Sequence, residues 1–162
     1  MTELYHFLEM SVWLGFAALG FAILFNVPQR TLFMIWLLGA LGGTTKLLIL
    51  FAGGNIILAS LAGAILVGIL SIQAAHSKHA PPLVFSIPAV IPMVPGAFAY
   101  RMMLGLIKLA GNTGTESYSD VLNSAVSNGL KTLFILLSLA AGVAIPMLIT
   151  RKESAKEIKI IK

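Results

Sequence analysis

Apolar runs of about 20 residues follow one another along the chain, each closed by a short polar, glycine or proline cluster. The first run covers about residues 4–25 and ends at Asn26-Val27-Pro28-Gln29-Arg30, where Pro28 pushes Val27 out of helix and predicts a tight turn. The second covers 31–51 and ends at the turn Gly53-Gly54-Asn55. The third covers 56–75 and runs into Gln73-Ala74-Ala75-His76-Ser77-Lys78-His79-Ala80-Pro81-Pro82. The fourth covers 83–109. A polar loop with Glu116 and Asp120 follows, then a fifth run over 121–150 whose last part, from Thr132, carries no charge. Runs of this length and polarity predict an all-α integral membrane protein of about five transmembrane helices. Residues 1–150 form one five-helix membrane domain, and 151–162 a basic tail with five cations and two acids.

The fourth run departs from a plain helix. At 1.5 Å per residue it is too long for one straight crossing. It also holds Pro88, Pro92, Pro95 and Gly96 within an uncharged stretch. Each proline removes a backbone donor and clashes with the preceding turn. Hydrocarbon supplies no replacement hydrogen bonds, so such a segment must be covered by protein or line a water-filled cavity. The pattern predicts a fourth helix interrupted by its prolines, the kind of discontinuous helix that builds substrate sites in transporters. The plain reading beside it is a buried kink that only shapes packing.

Composition sharpens this without changing it. The chain has 162 residues, 58% hydrophobic and 10% charged, with a net charge of +5. Its mean hydropathy is +0.95. Soluble domains carry about 25% charged residues, so no sizeable soluble domain fits here. With five spans, the tail, Arg30 and Lys78 share one side, and the acidic N-terminus and the Glu116/Asp120 loop share the other. The positive-inside rule then places the C-terminus in the cytoplasm and the N-terminus outside. Met1-Thr2-Glu3 lacks the basic start of a signal peptide and reads as the uncleaved outer end of the first span. Cysteine is absent, which leaves no disulfide or thiol chemistry.

A few residues stand out against this background. Lys46 is the only charge in the second run. Its stem either reaches toward the headgroups or, with Gly42, Gly43, Thr44 and Thr45 preceding it, lets the ammonium face a cavity. Gly39 and Gly43 form a GxxxG pair, and Ser60, Ala64 and Gly68 a row of small residues, both suited to close helix packing. Tyr100 and Arg101 follow the break, as an interface anchor or as a forked donor to a substrate carboxylate. Glu9 is the one carboxylate near a span interior, and a helix end reaching the interface accounts for it as well. His76 and His79 lack a third ligand nearby, so no metal site is expected. No cofactor is implied. The chain shows no HExxH, no nucleophile with a base and no phosphate loop, which argues against an enzyme.

Three landmarks in fixed order carry a resemblance: Phe25-Asn26-Val27-Pro28-x-Arg30, then Leu38-Gly39 leading to Lys46, then Ala89-Val90-Ile91-Pro92-Met93-x-Pro95-Gly96-x-x-x-Tyr100. Together they resemble the threonine/serine exporter (ThrE) family, in its short YjjB-like form. The resemblance covers nearly the whole chain. It implies a transporter of two halves, each of about five spans, with this chain similar to the second half. Split members pair such a chain with a longer membrane subunit carrying the first half. The family exports small amino acids such as threonine and serine, or the dicarboxylate succinate, across the bacterial cytoplasmic (inner) membrane. On this resemblance Asn26, Pro28 and Arg30 match the turn, Lys46 a basic position in the second span, and Pro92, Pro95 and Gly96 the break. Arg101 departs from the pattern, in which a small or neutral residue follows the tyrosine.

The expected protein is therefore a subunit of a secondary exporter of carboxylate-bearing metabolites, acting with a larger membrane partner and with further copies of the pair. Pro92, Pro95, Gly96, Lys46, Tyr100, Arg101 and Asn26 are the candidate substrate-binding or gating residues. Gly39, Gly43, Ser60, Ala64 and Gly68 are the candidate packing residues. A passive pore subunit and a non-transporting assembly subunit are the alternatives; saturable, gradient-dependent flux separates the first from an exporter.

Overall fold

The computed structural model describes residues 2–111 and 117–150, with side chains from residue 5 onward. Glu116 and the tail at 151–162 lie outside the described residues. All the regular structure among the described residues is helical: α1 (Thr2–Leu24), α2 (Leu32–Phe51), α3 (Ile56–Lys78), α4 (Pro82–Val90), α5 (Gly96–Gly111) and α6 (Tyr118–Thr150). Short 3-10 turns at Gln29–Thr31 and Ile91–Met93 precede α2 and follow α4. Among the described residues, four segments are long and apolar enough to cross a membrane: Tyr5–Leu24, Gln29–Phe51, Ile56–Lys78 and Tyr118–Thr150. The pair Pro82–Met93 and Gly96–Gly111, bent by 56°, makes a fifth, broken span. The protein is a multi-pass membrane protein.

The local chemistry explains where the helices stop. Asn26 closes α1 in the left-handed conformation (φ 53°), with the Val27 N–H donating back to Ala22 O at 3.0 Å. Asn55 caps α3, its side chain accepting from the Ile57 N–H at 2.9 Å. His79 ends α3 with φ 50° and leaves the helix, while His76 Nδ1 lies 2.8 Å from Ile72 O. The two histidines therefore do not share a helical face.

Lipid tails are as apolar as leucine, so helices in a bilayer associate through close packing rather than hydrophobic burial. Small residues mark the crossings. Gly39 rests on Ala18, and Gly43 on Leu14, joining α2 to α1. A Cβ on Gly63 would lie 2.6 Å from the Gly42 carbonyl oxygen, where α2 and α3 cross. A Cβ on Gly68 would lie 2.9 Å from Gly142 O, and one on Gly142 2.6 Å from Ala64, where α3 meets α6. Ser60, fully buried, is on the same helix as Ala64 and Gly68. α4 sits in the middle, touching α1, α2, α3 and α6, with Phe85, Pro88 and Ala89 buried.

α5 behaves differently. It packs chiefly on α6, through Gly105 against Ala125 and Met102 against Gly129. At 1.5 Å per residue α6 is about 50 Å long, well beyond the ~30 Å hydrocarbon thickness. Its uncharged second half lies alongside α3, and its polar first half pairs with α5.

Candidate functional site at the broken helix

The break forms because prolines interrupt the ladder from both sides. The α4 helix tightens into a 3-10 turn at Ile91–Met93, and Val94 swings to an extended conformation (φ −61°, ψ 135°) ahead of Pro95. Short local bonds replace the helical ones: the Val94 N–H donates to Ile91 O at 3.0 Å and the Gly96 N–H to Val94 O at 2.9 Å. The carboxyl end of α4 and the amino end of α5 thus meet at one level. The first carries the negative end of a helix dipole, the second the positive end and its unsatisfied N–H groups. Nine α-helical and three 3-10 residues put this level about 20 Å from the start of α4, inside the hydrocarbon.

Lys46 reaches this level from α2. Its position, about 21 Å along α2 from Leu32, matches the depth of the break. Its Nζ donates to the Met93 carbonyl oxygen at 2.9 Å. The ammonium therefore points to the interrupted helix and not to the headgroups. A cation at this depth needs a partner, and here the partner is a main-chain carbonyl of the break. Thr44 and Thr45 turn their hydroxyls back to Ala40 O and Leu41 O, at 2.6 and 2.9 Å, and leave the lysine stem free to cross. Among the described residues one carboxylate pair is close enough to bridge, exposed Glu9 with His6 at 3.8 Å, at the far end of α1 from Asn26.

The candidate residues divide into three places. Lys46, Pro92, Pro95 and Gly96 come together at the break. Met93 and Pro95 are buried there, and Gly96 is exposed with open space where a Cβ would stand. Tyr100 and Arg101 are exposed one turn into α5, and Arg101 faces a polar groove of about 590 Å³ shared with Lys108, Asp120, Ser124 and Asn128. Near the start of α5, Lys131 Nζ lies 5.7 Å from the centre of the Phe98 ring, tying α6 to the segment just after the break. Asn26 lies at the opposite end of α2 from Lys46 and acts as the cap of α1. Sequence reasoning missed the Met93 carbonyl, which has no residue-type signature. It also missed the α5–α6 groove, although Arg101, Gly105 and Lys108 share one helical face by spacing.

The family model described as Threonine/Serine exporter, ThrE, matches residues 11–149. The chain belongs to this family. A Haemophilus influenzae protein described as uncharacterized is 34% identical over 133 residues, which is 82% of this chain and 43% of that protein. This ThrE-family chain thus spans less than half the length of that relative. No solved structure matches it. Family membership sets it among the threonine/serine exporter chains, and among the described residues the break with Lys46 brings a cation and interrupted backbone together at membrane depth.

Proposed function

We propose that the chain is one half of a secondary exporter of small carboxylate-bearing metabolites, threonine- or serine-like amino acids or succinate-like dicarboxylates, working with a larger membrane subunit in the bacterial inner membrane. The N-terminus faces outward and the C-terminus the cytoplasm, as the charge distribution favours. The single observation that carries this reading is the Lys46 ammonium held at 2.9 Å from the Met93 carbonyl of a broken span. An ammonium with three donors donates to a carboxylate oxygen as readily as to a carbonyl oxygen, and charge makes that bond stronger. The amino end of α5, a few residues further along the break, offers N–H groups to the same anion. Discontinuous helices hold substrates in transporters by this combination of helix termini. Arg101, in the groove beyond, attracts the carboxylate as it leaves the break. Five spans of this kind make one of the two repeats that alternating access uses.

The test is efflux from intact cells. Cells lacking this chain, loaded with threonine, serine or succinate, should retain at least one of them, and re-expression should restore its loss to the medium. Retention that is unchanged for every carboxylate, or restored equally for uncharged solutes of the same size, would remove carboxylate export as the function.

A further inference from the structure

Helix α4 and the second half of α6 do not close against each other. Between them runs an apolar groove of about 480 Å³, lined by Ser86, Ile87 and Val94 on one side and Ala140, Val143 and Ala144 on the other. Three features separate it from an ordinary lipid-facing surface. Val94, at the break, is 44% exposed, and Gly96, two residues further along the chain, is exposed too. Interrupted backbone at membrane depth is tolerated where protein or a water cavity covers it, and not against lipid. Second, Ser86 lines the groove fully buried, and among the described residues its hydroxyl has no hydrogen-bond partner. In hydrocarbon such a hydroxyl normally bonds across to a neighbouring helix. Third, Gly96 has open space around its Cβ position and a backbone conformation that any residue adopts, so nothing among the described residues requires it to be small. A glycine there suits close approach by another backbone.

Resting on the two-subunit reading above, we propose that this groove is the docking site for a membrane-spanning helix of the larger subunit. That helix covers the break. The occupant is another stretch of exporter and not lipid, because lipid offers no hydrogen bonds to interrupted backbone. More than half of the length of the H. influenzae relative lies beyond the 43% that this chain matches, so relatives carry in one chain enough additional sequence to supply such a helix. Ala140 and Ala144, one turn apart, leave room for close approach. The substrate site then lies between two subunits, with Lys46 on one side of the break and the docked helix on the other.

The experiment places p-benzoylphenylalanine singly at Ile87 and at Ala140, with Trp13 on α1 as the reference position, in the full chain expressed in its native membranes. After irradiation and purification, adducts are identified by mass spectrometry. The expected adduct joins Ile87 and Ala140, but not Trp13, to a larger membrane protein similar to the part of the relative that this chain does not cover. In parallel, Ala140→Trp should lower co-purification of that protein at least tenfold, while the chain still inserts. If the larger protein co-purifies but the groove positions yield adducts with a second copy of this chain, or no protein adduct, the docking site is overturned and the two-subunit reading stands. If no such protein co-purifies, both fall.

Discussion

Replacing Lys46 by methionine keeps the length and apolar stem of the side chain and removes its charge and three donors. Two effects on folding oppose each other. The Met93 carbonyl loses its 2.9 Å partner, which costs about 1–3 kcal/mol if nothing replaces it. The cost of holding an ammonium at membrane depth, about 2.5–3.5 kcal/mol on insertion scales, disappears. The net change in stability is therefore small, and Lys46→Met should reach the membrane at near-normal level. Transport has no such offset. A hydrogen bond to a charged group contributes about 1.5–3 kcal/mol, so losing the bond to a substrate carboxylate lowers affinity by about ten- to a hundredfold. The assay is efflux from proteoliposomes holding both subunits, measured across substrate concentration and normalised to inserted protein. The predicted result is an apparent KM raised at least tenfold, with Lys46→Arg recovering part of the loss. Equal loss of insertion and flux would make Lys46 a structural residue. Unchanged kinetics in a fully inserted variant would refute the proposed contact with substrate.

Three further outcomes follow from the packing and the break. Gly63→Ala sets a Cβ 2.6 Å from the Gly42 carbonyl, which is backbone and cannot step aside; it should cost about 1–3 kcal/mol, read as a lower melting temperature in detergent. Asn26→Gly should leave stability unchanged or slightly raised, whereas Asn26→Val, forced to φ 53°, should lose about 1–2 kcal/mol; equal effects of the two would contradict the cap role. Gly96→Leu meets open space among the described residues, so it should insert normally yet lose export and association with the partner. Normal export by that variant would show that nothing docks over the break.

Much of this architecture is legible in the sequence because a bilayer allows few alternatives. Apolar length sets the spans, and the cluster of Pro88, Pro92 and Pro95 announces the interruption. Small residues at spacing four announce helix crossings, though not which helices cross: Gly39 and Gly43 meet α1, while Ala64 and Gly68 meet α6 at Gly142. The site was half legible. Lys46 and the break were both visible, but 47 positions separate Lys46 from its acceptor, which is a main-chain atom. Arg101 looked like a companion of Lys46 because it follows Gly96 closely in sequence. The 56° bend and the pairing of α5 with α6 put it in a separate groove. Asn26 is a candidate site residue through its motif, and its positive φ adds a local role that the motif does not announce, a left-handed helix end. The fifth run reads from sequence as uncharged only from Thr132 onward, and α6 makes that part and the part before it one continuous helix.

The central claim is that this chain transports as one half of a pair, with the break as its substrate station. Reconstitution tests it most directly. Efflux of threonine, serine and succinate would be followed from proteoliposomes containing this chain alone, the larger subunit alone, and both, with and without an imposed ion gradient. The account predicts saturable, gradient-dependent flux of at least one carboxylate with both subunits and background flux with either alone. Flux through this chain by itself, rising linearly with concentration and indifferent to the gradient, would contradict the account and identify a passive pore.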